Sequence, residues 1–430
     1  MSRTKDVIAK IIANARTGQE RERILRLVLR FPTAFIQGGA LLCRGLAGLR
    51  LPWTKRCPDT VFFFITNTCN QKCVHCFYAS EINTSHEQLA VNEIKKICRS
   101  IAGKTTTVFL CGGEPTTRED LPEIAVEFIE TAKVERLFIT SNGILQRKLI
   151  DTVTAVLASK RNFQLRVPIS LDGPEHIHDA IRRHPGGYQK AMATLQALIQ
   201  ISEKDPRLVP LTTTVIQKAN VDVFMDFYKF LKSTIGDRVQ FTFIRQDARD
   251  AGGLDKNLLL DAGSSENSLP SIETCRRILD EICRLEKTRP SVSCMSFLGV
   301  SFLSQHLDLV ERHAPVASPC IAPHSFATIY PNGQLSLCEV VKPFVDLKKF
   351  NYDLIQGWNS SEADLQRKQL AKCWCTYPCA LGNSIMRHPS ALAKSVVFVK
   401  SVLLPQWSKD GIEPRSRGEY VTGKVGPYER

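Results

Sequence analysis

Three cysteines stand close together in the run Thr68-Cys69-Asn70-Gln71-Lys72-Cys73-Val74-His75-Cys76-Phe77-Tyr78. Thiolates so spaced bind soft metals. With 15 cysteines in 430 residues, Cys-x3-Cys-x2-Cys is expected by chance only about 0.02 times. A structural zinc ion wants four ligands, and the only local fourth is His75, cramped between Cys73 and Cys76. Three thiolates on a four-iron cube instead leave one iron without a protein ligand, and a cofactor can bind there.

Other short runs carry residues of the same interest. They are Cys111-Gly112-Gly113-Glu114-Pro115, Thr140-Ser141-Asn142-Gly143 and Ser170-Leu171-Asp172-Gly173-Pro174. Taken singly, Asn-Gly and Asp-Gly mark turns, and paired glycines allow close backbone approach. What unites the runs is place: each ends an expected strand, where β/α folds gather ligand sites. Together with the three-cysteine loop, which has His75 at an aromatic-type position before its last cysteine, they resemble the radical S-adenosylmethionine (SAM) superfamily.

The resemblance implies that Cys69, Cys73 and Cys76 hold a 4Fe-4S cluster whose open iron chelates the amino and carboxylate groups of SAM. One electron then breaks the sulfonium bond, giving methionine and a 5′-deoxyadenosyl radical that abstracts a substrate hydrogen. It implies cofactor contacts from Tyr78, from Gly112, Gly113, Glu114 and Pro115 to the methionyl amino group, and from Asn142, Ser170 and Asp172. An electron donor such as flavodoxin or ferredoxin is implied as partner. The segment from His178 to Arg182, the run Gly186-Gly187-Tyr188 and the stretch 213–216 with Asn220 resemble parts of radical SAM peptide and small-molecule modifiers. Arg182 is expected to pair with Asp179 or Glu175, with an anionic ligand as the other reading.

A second cysteine group follows. Cys320 and Cys338 flank Tyr330-Pro331-Asn332-Gly333, which reads as a hairpin turn, and Cys373, Cys375 and Cys379 come later. The arrangement resembles the SPASM and Twitch extensions of radical SAM enzymes, but only Cys-x-Cys-x3-Cys stands where the full SPASM pattern has more thiols. One auxiliary 4Fe-4S cluster is therefore implied, held by Cys320, Cys338, Cys379 and either Cys373 or Cys375, with zinc as the competing metal. The extension implies a peptide substrate, as in the maturation of ribosomally made peptides (RiPPs). A lipid or small-molecule substrate at a membrane surface is the alternative, and a non-catalytic metal-binding protein is the reading from another class.

These residues need a scaffold. Between 61 and 245, β-branched and aromatic runs at 61–66, 106–110, 136–140, 164–170, 208–216 and 239–244 alternate with amphipathic windows at 87–101, 121–131, 145–157, 188–201 and 221–231. Repeated β-α order calls for a parallel sheet with right-handed crossovers. The expected fold is thus α/β, a partial (β/α)6 barrel with a small cysteine-rich C-terminal extension, and the resemblance implies that the barrel is of radical SAM type. Expected boundaries are an amphipathic helical leader over 1–57, the barrel over 58–248, the auxiliary-cluster domain over 271–400 and a flexible tail over 408–430. Residues 247–269, rich in Asp, Gly, Ser and Asn, read as a linker or substrate-side loop.

Composition narrows the class. With 43% hydrophobic residues the chain can bury a large core. No apolar run is long enough for a membrane span and no cleavable signal opens the chain, so a cytoplasmic protein is expected; residues 1–57 read as helix packing on the protein's own core, with peripheral membrane contact as the other reading. The formal net charge of +14 carries no nucleic-acid module signature and reads as a solvated basic surface. Disulfide frameworks belong to small secreted domains, so Cys43, Cys57, Cys98, Cys111, Cys275, Cys283 and Cys294 read as structural thiols.

Overall fold

The computed structural model describes residues 57–84, 87–245, 252–260, 268–288, 294–317 and 320–403. The expected leader, apart from Cys57, and the expected tail lie outside them. In chain order the main elements begin with β1 (Thr60–Thr66), α1 (Val91–Ser100), β2 (Thr107–Gly112), α2 (Leu121–Glu130), β3 (Arg136–Ile139) and α3 (Gln146–Leu157). Next come β4 (Gln164–Ser170), α4 (Glu175–Arg182), α5 (Gly187–Lys204), β5 (Leu208–Ile216), α6 (Val221–Ile235) and β6 (Val239–Phe243). The last are α7 (Ile272–Lys287), α8 (Cys294–Arg312), β7 (Phe326–Ile329), β8 (Gln334–Ser336), β9 (Val345–Asp346), α9 (Leu354–Trp358), α10 (Ser361–Gln369), α11 (Pro378–Arg387) and α12 (Pro389–Leu403).

The strands form one nine-stranded sheet in the order β6-β5-β4-β3-β2-β1-β7-β8-β9. The pairs from β6 to β1 are parallel, as the alternating β-α order requires. The sheet is an open, partial barrel. Along β1, Val61, Phe63 and Ile65 join the main core with Ile94 and Ile97 of α1 and Phe128 of α2. The alternate residue, Phe62, points to the other face. There it stacks on Phe109 at 4.8 Å, Phe109 stacks on Phe138 at 4.1 Å, and Phe326 meets Phe62 edge-on at 5.1 Å. Both faces of β1 are thus covered, which is why its sequence TVFFFIT is a continuous apolar run rather than a clean alternation.

Helix starts follow local chemistry. The Ala90 amide donates to the Glu93 carboxylate at 2.8 Å ahead of α1, and Asp353 and Ser360 cap α9 and α10 through the amides of Gln356 and Ala363.

The described residues divide into two compact units, one within 57–270 and 321–373 and the other within 271–320 and 374–403. The region expected as a single extension, 271–400, is therefore split between them. Its hairpin joins the barrel sheet because β1 has a free edge: β7 pairs with it in parallel, Thr60 to Phe326 through Phe63 to Ile329. Then β8 and β9 continue antiparallel. The stretch expected as a linker is also pinned, where described. Leu259 bridges Val341, and Gly253 packs so tightly that a Cβ there would lie 1.9 Å from the Lys372 carbonyl oxygen.

In the other unit, described from 271 onward, α7 is capped by Ser271 and α8 packs on α12. Arg276 pairs with Asp308 at 3.0 Å and Glu311 at 2.6 Å, and Leu309, Ala317, Leu381, Ile385 and Ala391 form the unit's own cluster.

Candidate functional site

The three-cysteine loop leaves the C-terminal end of β1 and is stapled at several points. Asn83, in a left-handed conformation (φ 59°), accepts from the Cys69 amide at 2.9 Å through Oδ1 and donates to its carbonyl at 3.1 Å. The Val74 amide donates to the Ile181 carbonyl at 2.9 Å, and the Cys76 amide to the Cys73 carbonyl at 3.2 Å. The loop is also held to the end of β2 by the amides of Gly113 and Glu114, which donate to the carbonyls of Thr66 and Thr68.

Glycine has a definite purpose here. A Cβ on Gly112 would sit 2.2 Å from the Thr66 carbonyl oxygen, and one on Gly113 2.1 Å from that of Thr68. The close approach that the paired glycines permit is thus to the chain's own cysteine loop. Pro115 begins the 3-10 turn that follows.

Glu114 lies at the centre of the β2 and β3 exits, 2% exposed. Its Oε1 accepts from Thr116 Oγ1 at 2.7 Å, Ser141 Oγ at 2.8 Å and the Thr116 amide, and Oε2 accepts from the Asn142 amide at 2.7 Å. Burial raises its pKa despite these donors, which act in the opposite direction. Asn142 carries the connection onward, its Nδ2 donating to Asn70 Oδ1 at 2.7 Å between the first two cysteines. Ser170 ends β4, where its amide donates to the Ser141 carbonyl.

Asp172 is wholly buried and similarly engaged. Oδ2 accepts from Arg182 Nε at 2.7 Å and Oδ1 from the Val215 amide at 3.0 Å. Burial alone would raise its pKa, yet the Arg182 guanidinium and the other nearby donors outweigh it and the net shift is downward. Arg182 therefore pairs with neither Asp179 nor Glu175. Asp179 instead accepts from the amides of Gly186 and Tyr188, at 2.6 and 2.8 Å, organising the start of α5. The partner was hidden because Asp172 lies ten residues upstream, outside helical spacing.

His75 sits 4.0 Å from Asp172, Nε2 to Oδ2, and 3.3 Å from Gln217, Nδ1 to Nε2. Burial pulls its pKa down to about 4, so at neutral pH the ring is uncharged and no ion pair forms. An amide nitrogen can only donate, so Nδ1 accepts and the ring proton rests on Nε2, toward Asp172. Asn220 accepts from the Gln217 amide at 2.9 Å and donates to the Asp172 carbonyl at 2.7 Å. Gln217 lies in no motif that marks it in the sequence.

Beyond Cys76 lies an aromatic group. Tyr78 is 4% exposed and packs with Phe64 at 5.0 Å and Tyr330 at 6.4 Å. Burial raises its phenol pKa well above the usual value.

The donor set suits a sulfur-ligated group with a polar cofactor. Burial pushes the Cys69 thiol up to about 12 and raises Cys73 and Cys76, so without metal the thiols are protonated and metal binding must displace protons. Two buried polar atoms beside the loop, Gln71 Nε2 and Gln217 Oε1, lack a hydrogen-bond partner among the described residues, and a bound polar molecule would complete them. Among the described residues no three or more His, Cys, Asp or Glu side chains converge as a single ion requires. An iron–sulfur cube takes its thiolates at separate corners and makes no such demand.

The second cysteine group is divided. Cys338, at the exit of β8, and Cys373 belong to the barrel unit and are buried. Cys320, Cys375 and Cys379 belong to the other, where Ser384 Oγ donates to Cys320 Sγ at 3.9 Å and the Tyr377 amide to Cys375 Sγ at 3.4 Å.

Residues 63–231, from within β1 to within α6 and including the exits of β1 to β5, match the model of the Radical SAM superfamily. The chain carries a radical SAM domain. Relatives that share this domain are enzymes of a superfamily that works with a 4Fe-4S cluster and SAM. The chain is 29% identical over 241 residues to the Fe-coproporphyrin III synthase of Methanosarcina barkeri, covering 56% of this chain and 54% of that one. It is 28% identical over 201 residues to the mycofactocin maturase MftC of Mycolicibacterium smegmatis, covering 45% and 46%. The chain thus spans about half the length of these curated relatives. Among solved structures, Streptococcus suis SuiB bound to SAM aligns with a TM-score of 0.52 at 15% identity, over 76% of this chain and 70% of that one, a likeness of fold. Among the described residues no helix is long and apolar enough to cross a membrane.

Proposed function

We propose that the protein is a radical SAM enzyme of peptide maturation in which Cys69, Cys73 and Cys76 ligate the SAM-binding cluster. The observation that carries this reading is the seat of the cysteine loop: it is tied to the exits of β2, β3, β4 and β5 inside the matched radical SAM domain. When bound, the cluster supplies one electron that cleaves SAM to methionine and a 5′-deoxyadenosyl radical, which takes a hydrogen atom from the substrate. The chain's own residues position and shield. Gly112 and Gly113 bring the β2 exit against the loop, and Glu114 and Asp172 hold neighbouring strand ends in place, with their carboxylates already occupied by protein donors. Contacts to SAM then fall to backbone groups of Gly112 to Pro115, to Tyr78, Asn142 and Ser170, and to the unfilled atoms of Gln71 and Gln217.

A peptide substrate is supported by the mycofactocin maturase among the relatives and by SuiB, a protein of similar fold that binds the precursor peptide SuiA. A small-molecule substrate is the second reading, favoured by the Methanosarcina relative, which is named for a porphyrin product. The later cysteines supply thiols for one auxiliary four-iron cluster, and flavodoxin or ferredoxin is the proposed electron source.

Anaerobic reconstitution with SAM and reductant tests the core of the proposal. Wild type should release 5′-deoxyadenosine, and Cys76→Ala should release none. Iron near eight per chain supports the auxiliary cluster, whereas about four speaks against it. No cleavage by fully loaded wild type overturns the reading.

A further inference from the structure

Arg245, two residues beyond the end of β6, touches two other segments at once. Its guanidinium lies 3.9 Å from the centre of the Phe77 ring, and its Nη1 lies 2.6 Å from Glu339 Oε1. Phe77 directly follows Cys76, and Glu339 directly follows Cys338. Phe77 is 36% exposed, among the few large apolar side chains so open in the described residues, whereas Glu339 is only 4% exposed. The Glu339 carbonyl accepts from the Tyr330 hydroxyl at 3.4 Å, and Tyr330 packs on Tyr78.

In the sheet order β6 stands at one edge and β8 next to the other, with β5, β4, β3, β2, β1 and β7 between them. The strands themselves form no ladder between these exits; main chain at 258–260 meets 340–342 further along, and next to the exits the link is through the Arg245 side chain. We infer that Arg245 is a positioning residue that clasps the open side of the barrel, fixing the loop of Cys76 to the β8 exit that carries Cys338. A guanidinium suits the task because its face stacks on a ring while its edge pairs with a carboxylate, and an ammonium cannot do both. Each partner is one residue from a cysteine, so loosening the clasp is felt at both thiols. The clasp is made wholly of the chain's own side chains, and only its effect on a bound cluster rests on the proposed function.

The test is iodoacetamide labelling of the metal-free full chain under reducing conditions, read residue by residue by mass spectrometry. Arg245→Met should speed labelling of Cys76 and Cys338 roughly tenfold, while Cys98, buried in α1, stays at its wild-type rate. Phe77→Leu should do the same, Phe77→Trp should keep wild-type protection, and Arg245→Lys should not restore it. If Arg245→Met also exposes Cys98, the decision passes to the two Phe77 variants. Cys76 and Cys338 rates within about twofold of wild type in Phe77→Leu overturn the clasp. In reconstituted protein, the change that SAM causes in the reduced-cluster electron paramagnetic resonance spectrum should differ between wild type and Arg245→Met. A wild type that shows no SAM effect refutes the proposed function and leaves the labelling result to judge the clasp alone.

Discussion

Glu114 and Asp172 are carboxylates at strand exits whose oxygens are occupied by the protein itself. Replacing Glu114 with Gln sets an amide N–H against donors, either the Asn142 amide or the hydroxyls of Ser141 and Thr116, and should cost about 2 kcal/mol in urea unfolding. That Glu114 and Asp172 stand at strand exits was legible from their motifs. What each one touches was not, because Ser141, Asn142 and Val215 reach them only through the fold. Arg118 offers a pH test away from the cysteines: it grips Asp120 through Nε and Nη2 while donating to the carbonyls of Ile65 and Leu89. The hydrogen bonds from Arg118 hold the Asp120 pKa below its usual value. A depressed acid stabilises the fold above its unfolded pKa and loses that contribution as pH falls through the folded one. Asp120→Asn should therefore lower the urea midpoint at pH 7, and the gap from wild type should close as pH drops below about 4.

At the scale of elements, the exits of β1 and β2 leave no space for a methyl group. Gly112→Ala and Gly113→Ala must each push main chain apart, and either should lower the melting temperature sharply or prevent soluble expression. Gly299 is the opposite case, exposed within α8 with open space around its Cα. Gly299→Ala should stabilise by about 0.5–1 kcal/mol, measurable as a higher urea midpoint. The six strands β1 to β6 were readable because each is a β-branched or aromatic run between amphipathic helices. The hairpin turn at Tyr330 to Gly333 was readable too, but not its attachment to β1. Pairing partners are chosen by which sheet edge is free, and no local periodicity records that. The same reason hid the bridge between Leu259 and Val341 in a stretch whose composition looks like linker.

For the molecule as a whole, residues 321–373 are part of the barrel unit and not an accessory to it. Trp358 Nε1 donates to the Phe326 carbonyl at 3.0 Å, Trp358 and Leu354 join the main core, and the Leu354 amide donates to Ser100 Oγ on α1. A chain ended after Pro270 would bare the edge of β1 and the apolar face beneath α9. It should aggregate or lack cooperative unfolding by circular dichroism, even though all six β/α strands are present.

The pairing of β1 with β7 also bears on how the chain is made. Asp59, at the threshold of β1, donates its amide to the carbonyl of Ser325, which is 266 residues further along. At translation rates of roughly 5–20 residues per second, the first strand waits on the order of 15–50 s for its neighbour to leave the ribosome. Through that interval an apolar strand is left with one edge unpaired. Nascent chains stalled before residue 326 should therefore be heavy clients of ribosome-associated chaperones, and those stalled well beyond residue 373 much lighter ones.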